Sequence, residues 1–348
     1  MKRCTIYRIL RLTGGLCRHV FGLHAKMSML NLCLLMLLVA KAGDWPVLKT
    51  YKGAALRQVK MPLGGIGTGT ISLSGRGSLV DWEIWNRPAK GNIPTGVKAP
   101  HFAIRYESPD GVRKARLLEG PLFLDEYEGA TGSPVVNHGF PRFREAIFKA
   151  AYPLAQIDLA DPAFALAPHL EAFNPLVPGD AEASGIPAVL FRWTVANTNA
   201  TPLDVSVVCS IVKDDNVALV VPDGVGSVTY ATDIREPGWD VGADRYWRLF
   251  LKDGVVADTR KDDSTATKDK RANQRSVRFT LAPGETRKVP FVIAWRNPDR
   301  KAWGRYESKD PADVVGNWYA TRYPTARATS RRSSRPMGQS PGDFAMRV

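Results

Sequence analysis

The segments AVLFRWTV at residues 188–195 and LDVSVVCSI at residues 203–211 carry the clearest structural signal in this sequence. In each segment an apolar side chain occupies every second position, and polar residues such as Arg192 and Thr194 stand between the apolar ones. Alternation with a period of two is typical of β-strands that pack one face on a core. The turn-rich sequence NTNATP joins the two segments, so we predict an antiparallel hairpin with one buried face.

The same alternation returns within Ser276–Trp295, where the residues APGE at 282–285 predict the turn of a second hairpin. Further strands are predicted at His101–Tyr106 and Tyr246–Leu251, the latter closed by the turn pair Asp253-Gly254. Sustained helical periodicity is almost absent. Many short strands separated by Gly, Pro and Asn turns favour a mainly β fold, a sandwich of two antiparallel sheets.

The composition allows one large domain or two smaller ones in 348 residues, with 44% hydrophobic residues to build a core. The net charge of +14 lies at the ends of the chain, because residues 1–60 carry +10, residues 320–348 carry +5, and the body between them carries −1. A nucleic-acid-binding domain shows its positive charge on the folded body. The charge distribution therefore argues against a nucleic-acid partner.

Cysteine and histidine usage argues against a bound metal. Of four cysteines, three precede residue 44 and none has CxxC spacing, which excludes a disulfide framework and a cysteine-rich zinc site. Cys209 lies on a predicted apolar strand face, where we expect a buried, unreactive thiol. None of the five histidines has a second ligand at metal-binding spacing, so we expect no metal and no other cofactor.

The amino-terminal residues 1–43 have the features of a leader. Ser28–Ala40 is an apolar run of 13 residues, shorter than the roughly 20 that span a bilayer. Basic residues precede it and an A-x-A pattern follows at residues 40–42, as in a secretory signal peptide. We therefore expect export to the periplasm or the extracellular space. A buried helix is the alternative, and the protein would be cytoplasmic if the leader is an artefact of the assigned start codon.

Residues 324–348 are rich in Arg, Ser and Pro and nearly free of large apolar side chains. Such a segment buries too little surface to order itself. We expect either a disordered basic tail or out-of-frame translation after a truncation. The predicted folded domain is then residues 44–323.

Four glycines lie close together in the stretch PLGGIGTG, at Gly64, Gly65, Gly67 and Gly69. A dinucleotide-binding fingerprint would place glycine where Thr70 stands and continue into a helix, and a phosphate loop needs Gly-Lys-Ser/Thr. The sequence continues instead as the strand-like TISL. We interpret the glycines as sites of tight turning and close backbone packing, with no bound nucleotide.

Asp81 and Glu83 would share one face if their segment is a strand. Two carboxylates about 5–5.5 Å apart serve as acid and nucleophile in retaining glycosidases. Residues two apart on one strand project side by side, however, and do not flank a sugar ring. We therefore predict that these are structural acids, solvated or hydrogen-bonded.

Trp82 and Trp85 stand beside Asn86 and Arg87 in the same segment. The two indoles are candidates for a surface that stacks on sugar rings. The alternative is that they anchor a core or an interface, which is the commoner use of large aromatic side chains.

Several motifs follow one another in the order found in a known family. They are WPVLK at 45–49, the stretch Met61–Gly91 with PLGGIGTG and DWEI, LEAFNPL at 170–176, SGIP at 184–187, AW at 294–295, NP at 297–298 and GNWYA at 316–320. In this order they resemble glycoside hydrolase family 116, which includes non-lysosomal glucosylceramidases and bacterial β-glucosidases. The resemblance covers about residues 45–323 and weakens at Asn216–Tyr230.

The resemblance implies an enzyme in which an amino-terminal β-sandwich packs on an α-barrel that supplies a Glu nucleophile and an Asp acid/base. We expect this chain to end where the linker into the barrel should begin, and no residue here matches either catalytic position. Six residues become candidates for the domain interface or the mouth of the active site, namely Asp81, Trp82, Glu83, Trp85, Asn86 and Arg87.

Three interpretations follow from the sequence. The first is a truncated β-glucosidase-like sandwich domain without hydrolytic activity, whose partner is a missing or separate barrel. The second is a stand-alone carbohydrate-binding or scaffold module that partners a separate catalytic chain and has a β-glucoside as a candidate ligand. The third is a pseudogene product that aggregates through an exposed apolar interface.

Overall fold

The computed structural model describes residues 48–333, apart from gaps at 92, 94–99, 130–132, 134, 213, 223–224, 226, 236–246, 249, 253–270, 303 and 306. The described residues form fifteen β-strands, numbered β1–β15 in chain order, and a few short helices. The predicted mainly β fold is confirmed. Among the described residues, no helix is both long and apolar enough to cross a membrane.

Two large antiparallel sheets and one small sheet account for all these strands. The seven-stranded sheet has the spatial order β1 (Lys49–Lys52), β7 (Glu145–Ala151), β8 (Leu154–Ala160), β9 (Leu166–Phe173), β10 (Ala188–Asn197), β15 (Thr286–Trp295) and β12 (Val217–Val220). The five-stranded sheet has the order β13 (Ser227–Arg235), β14 (Arg271–Leu281), β11 (Leu203–Val212), β5 (His101–Glu107) and β6 (Arg113–Leu117). The small sheet consists of β2 (Lys60–Leu63), β3 (Ile71–Ser74) and β4 (Leu79–Val80).

The inner faces of the two large sheets share one core. Phe102 of the five-stranded sheet lies with its ring centroid 5.2 Å from that of Phe191 and 5.5 Å from that of Phe291, both in the seven-stranded sheet. The alternating apolar residues of β10 and β11 are all buried in this core. The predicted buried faces are therefore confirmed, and so is the sandwich of two antiparallel sheets.

Both predicted hairpins have the right strands and the wrong pairing. Strand β10 pairs with β9 and β15 in one sheet, whereas β11 pairs with β5 and β14 in the other. Strands β14 and β15, the second predicted hairpin, are divided between the sheets in the same way. Each connection is a β-arch that carries the chain across the sandwich. The apolar alternation identifies the face that is buried, and both an arch and a hairpin satisfy it.

The prediction of a strand at Tyr246–Leu251 is wrong, because residues 247–248 and 250–252 are helical. Trp247, Phe250 and Leu251 have the i, i+3, i+4 spacing of one helix face. They pack on the outer face of the five-stranded sheet. Tyr246 and the predicted Asp253-Gly254 turn lie outside the described residues.

Three short helices complete the description, together with 3₁₀ turns at Gly53–Arg57, Leu124–Tyr127 and Pro311–Asp313. They are α1 (Ala181–Ser184), α2 (Tyr319–Arg322) and α3 (Ala326–Ser333). Helix α3 lies in the segment that was expected to be disordered after Tyr323. It is ordered because Ala326 and Thr329 are buried and the helix packs on β10, β12 and β15. The leader and residues 334–348 lie outside the described residues.

Candidate functional site

Most of the motifs singled out in the sequence come together in one place, which we call the motif cluster. It consists of residues 64–70, 81–91, 184–187, 295–298 and 316–319. Four hydrogen bonds join the first four of these segments: Trp295 Nε1 to Thr68 O (2.7 Å), Ile66 N to Ser184 O (2.8 Å), Glu83 N to Thr70 O (2.9 Å) and Asn297 Nδ2 to Ile84 O (2.6 Å). Segments more than 200 residues apart in sequence are thereby held against one another.

The glycines of this cluster are required by close backbone approach. A Cβ atom at Gly65 would lie 2.2 Å from the carbonyl oxygen of Ile186, and one at Gly69 would lie 2.5 Å from that of Glu83. Contacts this short are impossible for real side chains, so residues 65 and 69 must lack one. The packing interpretation of the glycine stretch is confirmed at these positions.

Asp81 is a buried structural acid that follows the last residue of β4. Its backbone has a positive φ of 48°, so Asp81 and Glu83 do not share the strand face on which they were predicted. The Asp81 carboxylate accepts hydrogen bonds from Gly91 N (2.6 Å) and Lys60 Nζ (3.2 Å). Burial by itself raises the pKa of Asp81, but these two donors outweigh it and hold the pKa below its ordinary value.

Glu83 also holds the loop 86–91 in place, through bonds to Ala89 and Lys90. Its carboxylate accepts hydrogen bonds from Ala89 N (3.0 Å) and Lys90 Nζ (2.5 Å). Burial by itself raises the pKa of Glu83. The hydrogen bonds from Lys90 and Ala89 outweigh burial, so the pKa of Glu83 lies below its ordinary value. Both acids therefore stay ionised and hold the loop 86–91, as the prediction of hydrogen-bonded structural acids requires.

The two tryptophans are anchors of this loop. Trp82 is only 2% exposed and stacks on Trp85, with ring centroids 6.0 Å apart. Trp85 is partly buried, and its Nε1 donates to the Asp214 carboxylate at 2.7 Å. Trp82 therefore belongs to the core and cannot offer its face to a sugar, which rules out a stacking surface made from both rings.

Asn86 belongs to an asparagine network that joins three of the motifs. Its backbone has a positive φ of 59°, and its side-chain oxygen accepts a hydrogen bond from Asn317 Nδ2 at 2.6 Å. Asn317 Nδ2 also donates to Asn297 O (2.7 Å), and Asn297 N donates to the Tyr319 hydroxyl (3.2 Å). Asn297, Asn317 and Tyr319 were not predicted as site residues. The motifs NP and GNWYA contained them, but the sequence carried no sign that they meet Asn86.

Arg87 is the outermost of the predicted site residues. Its guanidinium pairs with the Glu307 carboxylate at 2.9 Å, and both side chains are largely exposed. Together with Pro88, Gly304, Arg305 and Ser308, the pair lines an open cleft of about 600 Å³. Within the part of the chain that the structure describes, no group of His, Cys, Asp or Glu has the arrangement of a metal site.

Fold and cluster together define the class of protein: a β-sandwich domain in which glycine, carboxylate and asparagine motifs tie distant loops together. A family model described as beta-glucosidase 2, glycosyl-hydrolase family 116 N-term matches residues 60–219 and 216–335. The two segments cover most of the chain, so this chain belongs to glycoside hydrolase family 116 and contains its N-terminal domain.

The two matched segments overlap at one point and end at another, and both positions bear on the predictions from the sequence. Its two segments meet at residues 216–219, at the start of the stretch Asn216–Tyr230 where the sequence was expected to depart from the family pattern. Its second segment extends to residue 335 and includes α3. The matched segment therefore continues past Tyr323.

Proposed function

We propose that this sandwich is a supporting domain of a β-glucosidase-type glycoside hydrolase and has no hydrolytic activity by itself. Hydrolysis in the complete enzyme belongs to a partner domain, a barrel that is separate from the sandwich, and the substrate class is β-glucosides, glucosylceramide-like lipids among them. The family membership supports the enzyme class. The hydrogen bonding and lowered pKa values of the two carboxylates in the motif cluster support the view that hydrolysis belongs to the barrel and not to the sandwich.

A retaining glycosidase needs one carboxyl group with a raised pKa as acid and one carboxylate open to the sugar as nucleophile. Asp81 and Glu83 meet neither requirement, because both have lowered pKa values and both are bonded to a lysine and a backbone amide. Their hydrogen-bonding capacity is used inside the protein. This use of both carboxylates is the observation that carries the proposal.

The test is an assay of the purified chain on an aryl β-glucoside, beside an intact family enzyme as positive control. We expect no hydrolysis above the uncatalysed rate, and no difference between the wild type and the variants Asp81→Asn and Glu83→Gln. Hydrolysis at an enzymatic rate that either variant abolishes would show that the domain is catalytic and would overturn the proposal.

A stand-alone carbohydrate-binding module is the second candidate. The sequence pattern supported it through Trp82 and Trp85, and the burial of Trp82 removes that support. Trp318, which is 56% exposed, is the remaining observation in its favour. Calorimetric titration with methyl β-glucoside tests it, since binding that Trp318→Ala abolishes would favour this candidate over the supporting domain.

A further inference from the structure

We propose that an exposed apolar strip on the motif cluster, formed by Ile66, Val315 and Trp318, is the surface on which the rest of a family 116 chain docks. The inference rests on the proposed function, because it names the surface through which the supporting domain contacts the domain that follows it. The strip is distinct from the residues predicted from the sequence, which lie in the segment 81–87.

The three side chains are among the most exposed large apolar groups of the described residues, with Ile66 and Val315 each at 60% and Trp318 at 56%. A chain of contacts links the loop of Ile66 to Trp318. Ile66 N is bonded to Ser184 at the end of α1, Glu182 of α1 pairs with Arg322 at 2.7 Å, and the Arg322 guanidinium lies over the Trp318 ring at 5.2 Å. Val315 lies three residues before Trp318 in the same segment.

The backbone holds the exposed side chains rigidly. Ile66 lies between Gly65, which is packed against Ile186, and Thr68, whose hydroxyl donates to Gly65 O at 2.8 Å. Trp318 follows Asn317, which is fixed by the asparagine network. A preorganised apolar surface loses little conformational entropy on binding. Such rigidity at an exposed isoleucine and tryptophan is typical of an interface and is not needed for the sandwich itself.

The composition of the strip fits a protein partner. Trp and Arg are the residues that most often dominate binding energy at protein interfaces. Here an indole is covered on one side by a guanidinium that is itself paired with Glu182. The matching surface would offer an apolar pocket for the indole and polar groups for the Glu182–Arg322 pair at the rim.

The position of the strip identifies the occupant. The matching model describes an N-terminal domain, so chains of the family continue after it. The matched segment ends at residue 335, two short helices after Trp318. A domain that follows such a short connection is held at high local concentration beside α2 and the strip. Other exposed apolar side chains lie elsewhere: Tyr152 is on the connection between β7 and β8, and Leu154 is the first residue of β8.

The test measures binding between this chain and the carboxyl-terminal domain of a family 116 β-glucosidase, produced separately and verified as folded by circular dichroism. We expect the double variant Ile66→Ser/Trp318→Ser to bind at least about 10-fold more weakly than the wild type, as for the loss of interface anchors. The matched control is Tyr152→Ser/Leu154→Ser, which removes a similar exposed apolar area elsewhere and should change the dissociation constant less than about 2-fold.

The possible results separate the two proposals. Wild-type binding that the strip variant leaves unchanged would overturn the docking surface and leave the supporting-domain function intact. Failure of the wild type to bind the folded partner would overturn both. Should Trp318→Ser unfold the chain, Val315→Ser replaces it, because Val315 is equally exposed to solvent and belongs to the same strip.

Discussion

Two buried asparagines, Asn197 and Asn297, each hold one region of this molecule together. Asn197 does so for the pair of β-arches, and Asn297 for the motif cluster. Asn197 lies at the end of β10, and its Nδ2 donates to Thr201 O (2.9 Å), Leu281 O (3.1 Å) and Ala282 O (3.1 Å). It thereby joins the two β-arches of the sandwich. Asn297 donates to Ile84 O at 2.6 Å and joins the loops of the motif cluster.

The difference between the two regions lies in what surrounds each asparagine. The arch residues 198–202 and 282–285 are mostly exposed, but the buried Asn197 side chain lies at the edge of the continuous apolar core, where the carbonyl of the core residue Leu281 has no access to water if it is left unpaired. The motif cluster has a buried base, where Asn297 bonds Ile84, and reaches the surface at exposed Arg87 and Ile66. The same side chain therefore stabilises the whole fold in the first region and the geometry of one surface in the second. The predictions below test this contrast.

The largest effect is expected for Asn197→Ala. The substitution removes the donor for three carbonyls, of which Leu281 O lies in the core, so we expect the free energy of unfolding to fall by about 2–4 kcal/mol. Urea denaturation followed by tryptophan fluorescence measures it. Asn199→Ala in the same arch is the control and should cost less than about 1 kcal/mol. Equal urea midpoints for wild type and Asn197→Ala would show that the stability of the arches does not depend on the hydrogen bonds of Asn197.

Gly65→Ala tests the packing of the motif cluster. The new Cβ would lie 2.2 Å from Ile186 O, so the loop must shift, at a cost of about 1–3 kcal/mol. Gly139→Ala is the control, since a Cβ there meets nothing within 4 Å. Thermal unfolding of both variants gives the comparison. A Gly65→Ala protein as stable as Gly139→Ala would mean that the loop adapts freely and is not rigidly held.

Asn297→Ala is expected to act locally. It leaves Ile84 O without its donor and removes about 1–2 kcal/mol of stability, less than Asn197→Ala does. Hydrogen–deuterium exchange should become faster in residues 84–91 and stay unchanged in β11, because local opening costs less than global unfolding. Faster exchange spread evenly over both segments would contradict the distinction between the two regions.

The contrast also explains what the sequence predicts well and what it does not. Alternation in β10 and β11 identified their strands and buried faces, because those features depend on each residue and its immediate neighbours. The arch pairing was missed because it depends on contacts such as Asn197 with Ala282, far apart in the chain. The helical residues 247–248 and 250–252 were missed because Trp247 and Leu251 fit the alternation of a strand as well as the spacing of a helix face.

In the motif cluster the sequence predicted the family and the structural role of the glycines and acids. It could not reveal that Asn86, Asn297 and Asn317 form one network, since nothing in a single sequence links positions so far apart. The exposure of Ile66 was equally hidden, because a glycine-rich stretch gives no information about which way its one large side chain points. Local chemistry was predictable, whereas the assembly of distant segments was not.

The smallest expected effect is a pH dependence confined to the motif cluster. Because the pKa of Asp81 is lowered in the folded protein, its ionised form contributes stability above the unfolded pKa of about 4, and that contribution is lost as the pH falls through the folded value. Lys60 is half exposed, so Asp81→Asn should cost only about 0.5–1 kcal/mol at pH 7. Urea midpoints at pH 7 and pH 3 measure this.

At pH 3 the wild type and Asp81→Asn should approach each other in stability, since the carboxylate of the unfolded wild type is largely protonated there and folding must then release that proton or bury the neutral acid. Asn199→Ala, which removes an exposed hydrogen bond to the uncharged Thr201 hydroxyl, is the control and should show the same small difference at both pH values. A gap between wild type and Asp81→Asn that is as wide at pH 3 as at pH 7 would mean that the shape of the side chain, and not its charge, holds Gly91. The loop would then be fixed by packing alone, unlike the arches, which the hydrogen bonds of Asn197 join.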